Sequence, residues 1–184
     1  LDYVVEGREH VPDTASVVMI KHSSVFEAYA QVVFFPRQCW VLKRELFWVP
    51  FFGWGLKALK PIAINRNAGR SAVKQVISQG KDRLAEGIWV TVFPEGTRVA
   101  PGTTKKYGIS GAALAHEAGV PIVPVAHNAG DFWPRRSLLK RPGLIRFWFL
   151  FVLLFRFLLG RRLSVFLLSW HLLARILRNR FELI

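Results

Sequence analysis

With 184 residues, 52% of them hydrophobic, the chain is long enough for one α/β domain with a sizeable core. The lone cysteine, Cys39, excludes an intramolecular disulfide. The net charge of +14 is concentrated at one end, because residues 132–184 hold eleven Lys or Arg against one acid. An apolar, basic end favours an anionic membrane surface as partner, and it is too apolar to favour nucleic acid.

Hydrophobic periodicity predicts strands that alternate with helices. In chain order these are a strand at 16–20, a helix at 23–35, strands at 38–43 and 61–65, a helix at 69–86, a strand at 88–93, a helix at 110–119 and a strand at 121–126. Ser23 or Ser24 is the expected N-cap of the first helix. This spacing indicates a single α/β domain with a largely parallel central sheet flanked by helices.

The pattern changes near residue 145. Residues 147–155 are nine apolar residues in a row, fewer than the ~20 that a membrane-spanning helix needs. The residues after them are typical of a basic amphipathic helix on a membrane surface. Because the chain begins with Leu-Asp-Tyr and no Met, we expect it to be truncated at its N-terminus.

The first candidate catalytic pair is His22 and Glu27, just after the first predicted strand. Ligands bind at the carboxyl ends of strands in open α/β sheets, so His22 lies where a general base is useful. A carboxylate in the following helix can accept a hydrogen bond from one ring nitrogen and stabilise the imidazolium. The same spacing also arises by chance, in which case His22 is a surface residue and Glu27 an ordinary helical side chain.

The second candidate is the loop Phe93-Pro94-Glu95-Gly96-Thr97-Arg98, which follows the strand at 88–93. Gly96 lets the backbone approach a ligand, and Arg98 can hold a phosphate through two parallel hydrogen bonds. The alternative is a plain turn with a solvated arginine. That alternative fits less well, because a compact polar group directly follows a core strand.

Basic and aromatic residues are interleaved between positions 42 and 66. An aromatic, basic surface of this kind could hold the head and chain of a phospholipid. For most of this segment we instead predict a helix that packs its aromatic side chains into the core and leaves its lysines outside. For Lys43 and Arg66, which lie at the ends of predicted strands, we predict a role in binding instead.

Together these motifs resemble those of the glycerolipid acyltransferases, and most of all the bacterial 1-acyl-sn-glycerol-3-phosphate acyltransferases. The resemblance covers about residues 3–144. It rests on His22 with Glu27, on Lys43, Leu46, Pro50, Gly53 and Arg66, on the loop at 93–98, and on Val120-Pro121-Ile122-Val123-Pro124-Val125. The fold that it implies is the glycerolipid acyltransferase type of α/β domain.

The resemblance also implies an activity, in which a fatty acyl group moves from acyl-CoA or acyl-carrier protein to the 2-hydroxyl of lysophosphatidate, giving phosphatidate. His22 is then the general base, and Glu27 steadies its charged form. The residues implied to bind the substrate phosphate are Lys43, Arg66 and Arg98. Those implied to shape the substrate pocket are Glu95, Gly96 and Thr97. No metal or bound cofactor is implied, since acyl-CoA or the carrier protein is a co-substrate.

The resemblance also implies a location, the cytoplasmic face of the bacterial inner membrane.

The chain departs from the family pattern at two places. Glu27 stands where the family usually has Asp, which keeps the carboxylate. After residue 145 the family typically continues with a strand, a Gly-Pro turn and a polar helix. We therefore predict an acyltransferase domain at residues 1–145, and interpret residues 146–184 as an atypical tail from a shifted reading frame or a divergent end.

Other functions remain open or are disfavoured. Glycerol 3-phosphate and other lysolipids are alternative acceptors, and a non-enzymatic membrane-binding module is the competing class. A serine hydrolase is disfavoured because Gly108-Ile109-Ser110-Gly111 misses the second glycine of a nucleophile elbow. The five histidines have no zinc-ligand spacing.

Overall fold

The computed structural model of the chain describes residues 1–65 and 68–150, apart from the side chain of Phe52. Within these residues the strands are β1 (Asp2–Glu6), β2 (Val17–Ile20), β3 (Gln38–Lys43), β4 (Ile62–Ile64), β5 (Trp89–Val92), β6 (Ile122–His127) and β7 (Leu144–Phe149). The α-helices are α1 (Phe26–Phe34), α2 (Phe52–Ala58), α3 (Arg70–Ala85), α4 (Ser110–Ala118) and α5 (Ala129–Phe132). Short 3-10 helices cover Arg8–His10 and Arg44–Trp48.

The described strands form one sheet in the order β1-β7-β6-β2-β5-β3-β4. All neighbouring strands run parallel except β6 and β7, which pair antiparallel. Every residue of the central strands β2 and β5 is buried, as is typical of parallel strands covered on both faces. The prediction of a single α/β domain with a largely parallel central sheet is confirmed.

Alternate side chains of the central strands pack into two separate hydrophobic cores. Val17 and Met19 pack into one cluster, to which α3 contributes Val76 and Leu84. Val18 and Ile20 belong to a second cluster, which α1 joins through Ala30 and Phe34. Because successive strand residues point to opposite faces, the two clusters lie on opposite sides of the sheet. Cys39, the lone cysteine, is buried in the first cluster.

Most predicted elements agree with the structure to within a few residues, and the differences have local causes. The first helix starts at Phe26, later than predicted, and Ser24 Oγ accepts a hydrogen bond from the Phe26 N–H at 3.1 Å. Strand β1 was not predicted because its residues are polar or only partly buried. Strand β7 crosses the predicted boundary between residues 145 and 146 and pairs with both β1 and β6. Residues 151–184 of the predicted tail lie outside the described residues.

Three aromatic residues after β3 do not pack into the core, so for them that prediction is wrong. Trp48, Phe51 and Trp54 are 84%, 80% and 61% exposed, and together are called the aromatic ridge below. Gly53 allows α2 to pack tightly against the 3-10 helix at Arg44–Trp48. A Cβ at Gly53 would lie 2.4 Å from the carbonyl oxygen of Phe47, so only glycine allows α2 to approach the preceding 3-10 helix.

In the part of the chain that the structure describes, no helix combines the length and hydrophobicity required to cross a membrane.

Candidate active site

The candidate site lies at the carboxyl edge of the parallel strands. Strand β2 is flanked by β5 on one side and β6 on the other, and β3 is the next neighbour of β5. Since these strands are parallel, the segments that follow them all leave the sheet at the same edge. His22, Lys43 and the loop that begins at Phe93 are therefore brought together from distant parts of the sequence.

His22 and Glu27 form a direct hydrogen-bonded pair. The His22 Nδ1 atom lies 2.8 Å from Glu27 Oε1, and the His22 side chain is 16% exposed while that of Glu27 is fully buried. A carboxylate accepts hydrogen bonds, so Nδ1 carries the proton in this pair. The other ring nitrogen, Nε2, is left as the basic atom. This is the orientation that a carboxylate imposes on a histidine acting as a general base.

Backbone groups hold the Glu27 carboxylate in place. Its Oε1 also accepts hydrogen bonds from the N–H groups of Ser23 and Ser24, at 3.0 and 2.9 Å. Burial raises the pKa of the Glu27 carboxyl, but the hydrogen bonds from His22 and from the Ser24 N–H outweigh burial and hold this pKa below its ordinary value. Glu27 is therefore ionised at neutral pH, as an orienting acid must be.

The loop at 93–98 is built against His22. Gly96 closes a tight turn by donating its N–H to the Phe93 carbonyl at 2.9 Å, with a φ of 65° that favours glycine. The Phe93 ring stacks on the His22 imidazole, with centroids 4.0 Å apart. Glu95 Oε2 accepts a hydrogen bond from the His22 N–H at 3.3 Å, and the Val99 N–H donates to the His22 carbonyl at 2.7 Å. The loop thus fixes the backbone as well as the ring of His22.

His127 supports the same strand end from the other side. It is the last residue of β6 and is buried. Its Nε2 donates to the Lys21 carbonyl at 2.7 Å, while Nδ1 accepts from the Ala129 N–H at 3.2 Å. Burial lowers the pKa of His127, which keeps the ring neutral. His127 therefore ties the residue before His22 to β6.

Glu95 is an acid whose pKa lies near neutrality. It is 4% exposed, and burial raises the pKa of its carboxyl to about 7, against the opposing effects of hydrogen bonds and Lys21. Between pH 4.5 and about 7, the folded state therefore keeps a proton on Glu95 that the unfolded state has released. The stability contributed by this proton is complete below pH 4.5, the ordinary value, and is lost as the pH rises to about 7.

We therefore expect Glu95→Gln to flatten the pH dependence of stability. Relative to the variant, the wild type should lose about 3 kcal/mol in free energy of unfolding between pH 4.5 and 7, and nothing further above that. The amide oxygen of Gln can still accept the His22 N–H, so the fold is preserved. Urea unfolding of both proteins across this range measures the difference. Curves that run parallel from pH 4.5 to 7 would contradict it.

Four of the predicted site residues line one cavity of about 270 Å³. Its described lining consists of His22, Lys43, Leu46, Thr97, Arg98, Arg135 and Arg136. Among these residues four are cations and none is an acid. A larger cavity of about 480 Å³ lies around Trp133 and Lys140 and contains no predicted site residue. The smaller cavity is therefore the candidate active site.

The other predicted site residues do not appear in the cavity lining. Glu27 and Glu95 are buried behind His22, and Gly96 shapes the turn between Glu95 and Thr97. The assignment of Glu95 and Gly96 to the substrate pocket, and that of Glu27 to catalysis, stay predictions. Arg66 lies outside the described residues, so its place relative to the cavity is known only from the sequence pattern.

Arg135 and Arg136 were missed by the sequence reasoning. Arg135 Nη1 donates to the Arg98 carbonyl at 2.6 Å, which ties this segment to the loop at 93–98. Arg98 Nε is buried and has no hydrogen-bond partner among the described residues. The signal that was available is the position of Trp133-Pro134-Arg135-Arg136 shortly after the strand at 121–126, a neighbour of β2 in the sheet. Those arginines were instead counted with the basic end of the chain.

The described residues hold no group of three or more His, Cys, Asp or Glu side chains placed to bind a metal ion. The expectation that the reaction needs no metal or bound cofactor stays a prediction, since it concerns the mechanism.

The sequence of the chain matches that of a known protein family. The family model described as Acyltransferase matches residues 2–128, which include β1 to β6 and the His22–Glu27 pair. The chain belongs to the acyltransferase family. The matched range contains both His22 with Glu27 and the loop at 93–98.

Three relatives of this acyltransferase chain are informative. A 1-acyl-sn-glycerol-3-phosphate acyltransferase of Pseudomonas aeruginosa is 47% identical over 144 residues, which are 78% of this chain and 56% of the relative. One from Chlamydomonas reinhardtii is 32% identical, covering 76% of this chain and 43% of the relative. The crystal structure of the 1-acyl-sn-glycerophosphate (LPA) acyltransferase PlsC from Thermotoga maritima matches with a TM-score of 0.67 and 26% identity. That match covers 83% of this chain and 61% of the Thermotoga chain.

The acyltransferase chain spans about half the length of the curated relatives that it matches, 56% and 43% for the two described above. The resemblance predicted from the motifs is confirmed at the level of family and fold.

Proposed function

We propose that the chain catalyses transfer of a fatty acyl group from acyl-CoA or acyl-carrier protein to the 2-hydroxyl of lysophosphatidate, giving phosphatidate. The observation that carries the proposal is the hydrogen bond of 2.8 Å between His22 and the buried Glu27, at the wall of a cavity lined by cations. Relatives named as 1-acyl-sn-glycerol-3-phosphate acyltransferases support the choice of acceptor.

The proposed chemistry follows from the orientation of the ring. His22 Nε2 removes the proton from the acceptor hydroxyl as its oxygen attacks the thioester carbonyl. The resulting tetrahedral intermediate collapses with loss of the thiolate, which takes the proton back from the imidazolium. Glu27 stabilises the imidazolium while it exists, because its carboxylate stays ionised and fixed by the Ser23 and Ser24 N–H groups. All atoms of donor and acceptor are then accounted for in the ester and the free thiol.

The cations of the cavity are proposed to bind the acceptor phosphate. A phosphate monoester carries close to two negative charges at neutral pH, so a lining with Lys43, Arg98, Arg135 and Arg136 and no described acid suits it. Arg98 is the strongest candidate, because its buried Nε has no protein partner among the described residues. Arg66 remains part of the proposal on the strength of the sequence pattern. Thr97 lines the same cavity and is proposed to contact the glycerol.

We place the reaction at the cytoplasmic face of the bacterial inner membrane, since the acceptor is a membrane lipid and both donors are made in the cytoplasm. The division into an acyltransferase domain at 1–145 and an atypical tail at 146–184 is kept as a proposal. In this proposal residues 146–149 contribute to the sheet as the end of β7, although they fall on the tail side of the division.

An assay of thiol release tests the proposed function. Full-length protein is mixed with palmitoyl-CoA, and free thiol is measured with lysophosphatidate, with glycerol 3-phosphate, with lysophosphatidylcholine and with no acceptor. We expect release that depends on lysophosphatidate, with phosphatidate identified as the product by mass spectrometry. Release that is faster with another acceptor would reassign the substrate. No acceptor-dependent release would favour the non-enzymatic membrane-binding alternative.

A further inference from the structure

The aromatic ridge is an exposed apolar surface with no covering element among the described residues. Trp48, Phe51 and Trp54 are 84%, 80% and 61% exposed, and the rings of Phe51 and Trp54 meet edge to face at 5.2 Å. The aliphatic side chains of Leu46 and Val49 extend the surface at 37% and 44% exposure. Single exposed apolar residues are ordinary, but a contiguous patch of this kind marks an interaction surface.

The composition of the patch fits one kind of partner. Tryptophan and phenylalanine with lysine and arginine around them are typical of segments that lie at the boundary between lipid headgroups and acyl chains. Arg44 and Lys57 flank the ridge against a single acid, Glu45. Lys57 Nζ lies 6.0 Å above the Phe47 ring, which holds this cation beside the apolar surface. The balance of charge favours an anionic partner.

The ridge is continuous with the cavity of the candidate active site. Leu46 links the two, because it lines the cavity beside His22 and is also exposed in the 3-10 helix that carries Trp48 of the ridge. Lys43, the last residue of β3, lines the same cavity. A molecule lying against the ridge is therefore next to Leu46, a residue of the cavity lining.

We infer that the aromatic ridge docks on the surface of an anionic phospholipid bilayer, so that the lipid acceptor passes from the bilayer across Leu46 into the cavity. The passage of the acceptor rests on the proposed function, whereas the docking does not. A bilayer explains three observations together: exposed tryptophans, flanking cations and continuity with a site proposed for lipid. A protein partner or a second copy of the chain would explain the exposed apolar area alone.

Insertion of the ridge can be measured at single positions. Trp54→Cys carries a polarity-sensitive dye at the ridge, and Val33→Cys carries it on α1, where the native side chain is 66% exposed. Cys39 is 1% exposed and does not compete for the label. Val33 is a matched control because it is equally exposed but lies near the end of α1, which leads away from the carboxyl edge of the sheet.

Vesicles with equal parts of phosphatidylglycerol and phosphatidylcholine should shift the emission of the dye at position 54 to the blue and leave the dye at position 33 unchanged. In flotation assays on the same vesicles, Trp48→Ser with Trp54→Ser should bind at least about tenfold more weakly than wild type, and Val33→Ser should bind like wild type. An unshifted dye at position 54 on protein that has bound the vesicles would overturn the docking. Loss of self-association in the ridge variant with unchanged vesicle binding would overturn it as well.

Turnover separates failure of the docking from failure of the proposed function. The ridge variant should keep the wild-type kcat/KM on a short-chain lysophosphatidate that stays dissolved, and lose activity on acceptor embedded in vesicles. An equal loss on both acceptors would overturn the passage across the ridge. Ridge-dependent vesicle binding with no acyl transfer to any acceptor would leave the docking standing and refute the proposed function.

Discussion

Replacing His22 with alanine should lower the kcat/KM of acyl transfer by about 10²–10⁴-fold, the usual contribution of a general base, while the protein stays folded. The fold should survive because Glu27 Oε1 keeps two hydrogen-bond donors, the N–H groups of Ser23 and Ser24, when the imidazole is removed. The Glu95 hydrogen bond is made by the His22 backbone and also remains. Thiol release in the presence of lysophosphatidate gives the rate, and thermal unfolding checks the fold.

His116→Ala is the matched control for this experiment. His116 lies on α4 with a side chain that is 36% exposed, and it does not line the cavity. We expect wild-type turnover from this variant. If His22→Ala kept turnover within a factor of about three of His116→Ala, His22 would be removed from the mechanism, since a general base contributes far more than that.

Removal of the Arg98 side chain should have the second largest effect. Arg98→Ala deletes a guanidinium whose buried Nε has no partner in the described protein and which lines the cavity. Truncating one member of a buried charge pair costs about 2–5 kcal/mol, which corresponds to about 30- to 4,000-fold in kcat/KM for the phosphate-bearing acceptor. The loss should fall on the KM for lysophosphatidate more than on kcat, because the phosphate is remote from the reacting hydroxyl.

Three comparison variants make the Arg98 result specific. Arg98→Lys keeps the charge but cannot bind a phosphate through a planar fork, and should lie between wild type and alanine. Arg136→Gly removes a second cation of the cavity from a residue with a φ of 60°, a conformation that glycine adopts without strain, so a smaller rise in KM with full stability is expected. Arg37→Ala removes an exposed arginine outside the cavity lining and should change neither constant. An unchanged KM in Arg98→Ala would refute the assignment of Arg98 to the phosphate.

The sequence predicted the interior of the sheet better than its edge, for a physical reason. β2 and β5 are covered on both faces, so nearly all of their residues are apolar, and this pattern predicts a buried strand. β1 is only partly buried, and its reason to be a strand is its pairing with β7, which no local pattern can reveal. β7 itself was hidden because its apolar residues merge with the apolar run that continues to residue 155.

The residues of the candidate site also differ in whether the sequence alone could identify them. His22, Glu27 and the loop at 93–98 could be identified because each forms a compact motif in the sequence. Arg135 could not, because its relation to Arg98 exists only through the sheet, which brings the segment after β6 beside the loop after β5 on either side of β2. The aromatic ridge was misjudged for a related reason, since periodicity alone does not say whether an apolar helix face meets protein or a bilayer.

The pairing of β1 with β7 also has a consequence during synthesis on the ribosome. Glu6 of β1 accepts a hydrogen bond from the Trp148 indole, 142 positions later, and among the described strands β1 pairs with β7 alone. At the usual translation speed of about 5–20 residues per second, β1 must wait about 7–30 s for its partner to be made. During that interval the first strand is a nascent segment available to chaperones, whereas β2 to β6 can already assemble.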